Sequence, residues 1–372
     1  MVRVRRTILY VVGARPNFVK MAPVLHELRG RLPSWRHVAV HTGQHYDREM
    51  SEAVLADLGL PQPDYLLGVG SGSHGRQTGL ALERLENVLL RERPELVIVP
   101  GDVNSTLAAA LAAVKLGIPV AHLEAGLRSF DWTMQEEINR VLVDRCSSWC
   151  LVHSPEAVAN LRREGIPRER ISFVGNTMID TLVRLRPRID SSSVHERLHI
   201  DRGSYLLVTL HRPVLVDGPL LEEVLDRLEE LSVDMPVVFP MHPRTRARIR
   251  DDAPRRESLR LVDPVGYLDF LALQTHAAAV ITDSGGVQEE TTYLGVPCFT
   301  LRDNTERPIT ISQGTNRLLG LNPAALERVP ELLRRTPSPL RPPHGWDGRA
   351  ATRVADVLVE ALAPAAAEAA TA

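Results

Sequence analysis

Residues 122–140 read HLEAGLRSFDWTMQEEINR. An apolar run stops at Glu124, and two further acids, Glu136 and Glu137, precede Arg140. A carboxylate at the end of a buried strand is costly unless it is used, so Glu124 is a candidate for proton transfer. Glu136 carries two readings. It completes a capping box that starts at Thr133 as N-cap, and it is an i,i+4 neighbour of Arg140 on one helix face. Glu137 projects roughly 100° away from Glu136 and reads as a bystander.

Four other stretches carry candidate chemistry. GARPNFVKMAP, residues 13–23, follows the first apolar run and places Arg15 and Lys20 at the start of a helix. Cations there oppose the helix dipole unless an anion offsets them; the alternative is a solvated helix entry. VPGDVNST, residues 99–106, puts Asp102 between a buried strand and a helix, where capping alone would also explain it. TDSGGVQEE, residues 282–290, ends a strand and opens a helix with Ser284, Gly285 and Gly286. Free N–H groups at a positive helix end make a site for a phosphate or diphosphate, and Glu290 follows on a face able to reach hydroxyls. Arg307 in TERP is a diphosphate clamp candidate, because a guanidinium pairs bidentately with such oxygens. His211 in TLHRP sits at a strand end and reads either as structural or as a proton donor or charge stabiliser. GSGSHG, residues 70–75, matches GxGxxG but not at the first strand-to-helix turn, so it reads as a glycine turn with Ser73 near an N-cap.

The elements that position these groups alternate. TILYVV, HVAVHT, ELVIVP, IPVAHL, SWCLVH and RISFVG read as doubly buried strands, separated by amphipathic helices such as KMAPVLHELRG and STLAAALAAVKLG. The rhythm pauses in the polar stretch 185–204 and resumes with SYLLVTL, PVVFPM, LRLVD, AAVITD and VPCFTL. The expected fold is α/β: two doubly wound, Rossmann-like domains facing a central cleft. The expected division is residues 1–188 with the acid/base groups, 200–350 with the nucleotide site, and 351–372 as a C-terminal helix with an alanine-rich tail.

At 372 residues the chain exceeds what one core usually organises. A net charge of −2 argues neither for nor against any partner, but no basic stripe that would track a nucleic-acid backbone is present, so no nucleic-acid partner is expected. Cys146, Cys150 and Cys298 form neither a disulfide framework nor zinc spacing. The apolar run ILYVV is too short for a signal-peptide core, and no stretch approaches the ~18 apolar residues of a membrane span. A cytoplasmic protein with no metal and no membrane partner is expected.

Together, GARPNFVKMAP, TGQHYDREM, GD at 101–102, HLEAGLRS, EEINR, GN at 175–176, TLHR, HP at 242–243, TDSGGVQEE and TERP resemble the non-hydrolysing UDP-N-acetylglucosamine 2-epimerases, in family order across both domains. The resemblance implies a GT-B-like fold and interconversion of UDP-GlcNAc and UDP-ManNAc without a cofactor, by elimination of UDP to a 2-acetamidoglucal and re-addition, in a homodimer. Carried over motif by motif, Asp102, Glu124 and Glu136 would be the acid/base carboxylates and His211 would assist departing UDP. Arg15, Lys20, Arg140 and Arg307 would contact the nucleotide sugar, Ser284, Gly285 and Gly286 the diphosphate, Glu290 the ribose and Phe270 the uracil. Gln44, His45, Arg212 and His242 match a second, activating UDP-GlcNAc site found in some members. The chain departs from the pattern at Val214 and Leu215, which replace a polar pair, and at Gln135, which replaces a proline.

Three rival functions share these features. A hydrolysing 2-epimerase would release ManNAc and UDP; a GT-B glycosyltransferase would pass the sugar to an acceptor but would not need three carboxylates around C2; a non-catalytic sensor would bind the nucleotide sugar without turnover.

Overall fold

A computed structural model describes residues 6–43, 48–241, 243–249, 255–335 and 341–363. Two compact units result, Met1–Arg184 with His344–Ala372, and Leu185–Pro343. In the first, β1 (Thr7–Val12), β2 (Arg36–His41), β3 (Tyr65–Leu66), β4 (Leu96–Pro100), β5 (Val120–Leu123), β6 (Trp149–Val152) and β7 (Ile171–Phe173) form one sheet. Its order is β3-β2-β1-β4-β5-β6-β7, and every pair is parallel. In the second, β8 (Leu206–Thr209), β9 (Val237–Pro240), β10 (Leu259–Val262), β11 (Ala279–Thr282), β12 (Cys298–Thr300) and β13 (Asn316–Leu318) lie in the order β10-β9-β8-β11-β12-β13, again parallel.

Side chains that alternate along a strand divide between the two faces of a sheet. Leu9, Val11, Val97 and Val99 therefore share one core with Leu85 and Leu89 of the His74–Glu92 helix and Ala108, Ala109 and Ala112 of the Asn104–Lys115 helix. The second unit packs Val208, Phe239, Ile281 and Phe299 against Val224, Leu225 and Leu228. β3 and β13 escape a reading based on apolar runs. They are two and three residues long at sheet edges, where YL and NRL carry no run.

The division falls earlier than the polar stretch suggested. The helix Thr177–Asp190 runs through it because Ile179, Leu182, Leu185 and Ile189 continue one buried stripe past the first polar residues. The last helix, Ala350–Leu362, was expected as a separate segment but belongs to the first unit, where it packs on the helix Arg15–Arg31. Asp180 accepts from the Ala350 and Ala351 amides (3.1 and 2.6 Å), so its carboxylate satisfies first-turn donors of that helix. The GN pair at 175–176 serves this return of the chain. A Cβ at Gly175 would lie 2.0 Å from the Gly345 carbonyl oxygen.

His41 ends β2 with its ring beside Phe18, centroids 5.0 Å apart, and burial pushes its pKa down to about 4. The folded state thus favours the neutral ring. Stability is full above the unfolded value of about 6.5 and declines as pH falls from there toward 4. His41 contributes about 2 kcal/mol of loss between about pH 7 and pH 5 to a slope that His26, His195, His276 and Asp180 also shape. In denaturant titrations His41→Gln should reduce the loss over that range by about this amount; an unchanged slope would remove His41 from it.

Candidate active site

In each unit the strand order reverses between two neighbouring strands, β1 and β4 in the first and β8 and β11 in the second. Ligands of open parallel sheets bind beyond the strand C-termini at such a reversal. The candidate residues cluster at these two places.

In the first unit, β1 is followed by Gly13, where a Cβ would come within 2.4 Å of Ser105 Oγ. Asn17 Oδ1 accepts from the Gly13 and Ala14 amides (3.1 and 3.0 Å), and its Nδ2 donates to the Pro100 carbonyl at 3.2 Å, tying the first helix to the end of β4. This orientation sends Lys20 inward, where it pairs with Glu124; both are buried. Removing one partner of such a pair strands the other charge, typically at about 3–5 kcal/mol. Glu124 also holds a left-handed backbone, φ +66°. That conformation costs a non-glycine residue about 1–3 kcal/mol and concentrates at functional positions. Gly101, φ +66°, leaves room beside it: a Cβ there would lie 3.5 Å from both Glu124 Oε2 and Lys20 Nζ.

Asp102 follows. Its carboxylate accepts from Arg140 Nη2 (2.5 Å) and Nε (3.2 Å), and its carbonyl accepts from Asn139 Nδ2 at 2.8 Å. The Asp102 side chain stays 24% exposed while Arg140 is buried, so the carboxylate is the reachable end of the pair. Arg15, half-buried, opens the first helix.

Two expectations for 122–140 are corrected. No Thr133 capping box forms: the helix is Gln135–Cys146, its N-cap is Met134, and Thr133 Oγ1 donates to Asp131 Oδ1 at 2.6 Å. Starting the helix at Gln135 turns Glu137, not Glu136, inward. Glu137 is buried, bonds Arg140 Nη1 at 2.5 Å as an i,i+3 pair, and accepts from the Ser129 and Phe130 amides, both at 2.9 Å. The supposed bystander therefore holds both Arg140 and the preceding loop, while Glu136 is exposed. Spacings i,i+3 and i,i+4 are equally close on a helix, so periodicity alone does not choose between them.

In the second unit, β8 and β11 pair in register through Thr209 and Thr282. His211 and Asp283 lie just past these ends. Asp283 Oδ2 accepts from the His211 and Arg212 amides (2.9 and 2.7 Å), and Oδ1 meets His211 Nδ1 at 3.0 Å. Burial pushes the Asp283 carboxyl up, but the His211 ring and the two amides outweigh it and hold its pKa below the usual value. The result is an oriented imidazole, half exposed, with Nε2 turned from its carboxylate. Sequence reasoning used Asp283 only as a strand end. Its pairing follows from the adjacency of β8 and β11, which single-strand patterns do not carry.

The helix Gly285–Leu294 begins at N-cap Ser284, with no side-chain cap and no acid in its first turn. Its first amides thus have no partner inside the helix, the arrangement that receives anions. Arg307 is buried against Glu306 and, through Nε at 2.9 Å, Glu289; Glu306 in turn takes Arg302 at 2.7 Å. A Cβ at Gly285 would lie 2.5 Å from Arg307 Nη1. Gly285→Ala should therefore displace the guanidinium and weaken binding of pyrophosphate at this helix start, measurable by calorimetry; unchanged affinity would separate Arg307 from the anion site. Glu290 is buried and accepts from the Tyr267 hydroxyl at 3.1 Å; Phe270, half-buried, lies one turn on in the same helix, Tyr267–Thr275.

Arg212 is anchored through Nε to the Asp283 carbonyl at 3.0 Å. Gln44, His45 and His242, matched to an activator site, lie outside the described residues. Of the replaced pair, Leu215 is a core residue and only Val214 is exposed.

A family model for UDP-N-acetylglucosamine 2-epimerase matches residues 29–359. The UDP-N-acetylglucosamine 2-epimerase of Methanocaldococcus jannaschii is 42% identical over 359 residues, covering 94% of this chain and 97% of that protein. The UDP-2,3-diacetamido-2,3-dideoxy-D-glucuronate 2-epimerase of Pseudomonas aeruginosa is 40% identical, covering 95% and 99%. A crystal structure of the Methanocaldococcus jannaschii enzyme in complex with UDP-GlcNAc and UDP superposes with a TM-score of 0.87 at 40% identity, covering 95% and 99%. The α/β fold with two parallel sheets is GT-B-like in class, as expected. Matched across nearly its whole length by model, relatives and structure alike, the chain belongs to the UDP-N-acetylglucosamine 2-epimerase family.

Proposed function

We propose that the protein interconverts UDP-GlcNAc and UDP-ManNAc by eliminating UDP and adding it back. A carboxylate takes the C2 proton, the C1–O bond breaks, and its electron pair leaves with the diphosphate, giving a 2-acetamidoglucal. Reprotonation at C2 from the other face, with re-attack of UDP at C1, completes inversion. Two faces of one carbon need separate acid/base groups. The observation that carries this reading is the pair of cation-held carboxylates at adjacent strand ends, Glu124 on Lys20 and Asp102 on Arg140. Glu136, exposed one turn before Arg140, is the third acid/base candidate. In the second unit, Ser284, Gly285, Gly286 and Arg307 hold the diphosphate, Glu290 the ribose and Phe270 the uracil, and His211 stabilises charge on departing UDP. Arg15 binds the nucleotide sugar.

Incubation with UDP-GlcNAc, followed by NMR, should yield UDP-ManNAc without matching release of UDP. UDP accumulating in step with free ManNAc would contradict the reading in favour of hydrolysis. Arg307→Ala should raise the UDP Kd about tenfold or more, the scale of a charge-assisted hydrogen bond; an unchanged Kd would remove the clamp.

A homodimer fits the exposed Leu90, Val114 and Leu142, one on each of three consecutive helices of the first unit, of which neighbours pack together. The free thiols Cys146, Cys150 and Cys298 fit a reducing, cytoplasmic setting. No helix among the described residues is long and apolar enough to cross a membrane.

A further inference from the structure

His122 is fully buried on β5, two residues before Glu124. Its Nδ1 lies 2.7 Å from Asp144 Oδ1 and its Nε2 lies 2.7 Å from the Gly101 carbonyl oxygen. A carbonyl oxygen only accepts. The Asp144 carboxylate already accepts, through Oδ2, from the Gly126 amide at 3.0 Å and Arg128 Nη1 at 2.8 Å, so it too presents an acceptor. Both links can be hydrogen bonds to these acceptors only when both ring nitrogens carry hydrogen. The charges balance locally, since Arg128 also bonds Glu164, with Nη2–Oε2 at 2.6 Å.

We propose that His122 and Asp144 form a positioning dyad that sets the spacing of Asp102 and Glu124, an inference that rests on the acid/base roles given to those two residues. The bond to Gly101 fixes the peptide plane leading into Asp102. Asp144 grips the strained Glu124 from both sides, through His122 before it and through Gly126 and Arg128 after it. Asp144 also stands one turn beyond Arg140 on the helix Gln135–Cys146, so the same carboxylate references the cation that holds Asp102. A neutral ring loses one of the two links, because one nitrogen then presents a lone pair to an oxygen. Neither His122 nor Asp144 touches the reacting atoms; their effect passes through the two carboxylates they place.

The test has two parts. In wild-type protein carrying 15N-labelled histidine, a long-range 1H–15N spectrum at the pH of maximal activity should show the buried His122 ring protonated at both nitrogens. A ring with one bare nitrogen overturns the dyad, and this readout needs neither a folded variant nor turnover. His122→Gln and Asp144→Asn, each able to keep only part of the donor–acceptor pattern, should lower kcat by about 10- to 100-fold while leaving KM and the UDP Kd within about twofold. A folded His122→Gln protein with unchanged kcat, or with kcat and UDP affinity falling together, overturns the positioning role. Absence of epimerase activity in wild type would instead refute the proposed function, while the ring spectrum would still decide the geometry.

Discussion

Asp102→Asn is expected to lower kcat by about 10² or more, the usual scale for a general acid or base, with UDP affinity within about twofold. The substitution preserves shape. An asparagine oxygen can still accept from Arg140, and the Asp102 carbonyl keeps its bond from Asn139. What disappears is a group able to take or return a proton. Arg140 meanwhile keeps its ion pair with Glu137, so the change is confined to the first unit. Single-turnover rates and UDP titrations separate the two effects. Near-normal turnover would remove Asp102 from the mechanism; a parallel loss of UDP binding would make it a binding residue.

Asp283→Asn should have a comparable effect by another route. The carboxylate accepts from two backbone amides through Oδ2, and its Oδ1 lies 3.0 Å from His211 Nδ1. An amide nitrogen in place of either oxygen faces one of these donors, so the imidazole loses either its orientation or its tautomer. The expected loss is about 10² in kcat, the scale of removing one stabiliser of developing charge. Groups that act as a unit are non-additive. His211→Asn should therefore cost a similar factor, and the double variant little more than either single. Additive losses would show that Asp283 and His211 act independently.

The two sheets were legible because doubly buried strands leave apolar runs that periodicity detects, whereas the strand order and its reversals were not. β3 and β13 left no such run. The expected break at 188–200 and the unit boundary after Arg184 differ because polar residues on the outer face of the Thr177–Asp190 helix resemble a linker, while Leu185 and Ile189 continue its buried stripe. At the site, Glu124 and Asp102 were singled out by strand-end position and Lys20 and Arg140 by their places on helices, and the structure pairs them two by two. Glu137, Asp283, His122 and Asp144 were not. Their roles depend on which neighbour they meet across strands or on the first residue of a helix, and a one-residue shift of that start exchanges Glu136 for Glu137. The apparent disruption at Val214 and Leu215 also reads differently once Leu215 is seen in the core.

The most direct test of the elimination account is the fate of the C2 hydrogen. UDP-GlcNAc incubated with the protein in D2O should yield UDP-ManNAc carrying deuterium at C2, and the label should grow into the recovered UDP-GlcNAc as equilibrium is approached. UDP-ManNAc that retains its original C2 proton, or a mixture in which neither UDP-ManNAc nor C2 label ever forms, would contradict it.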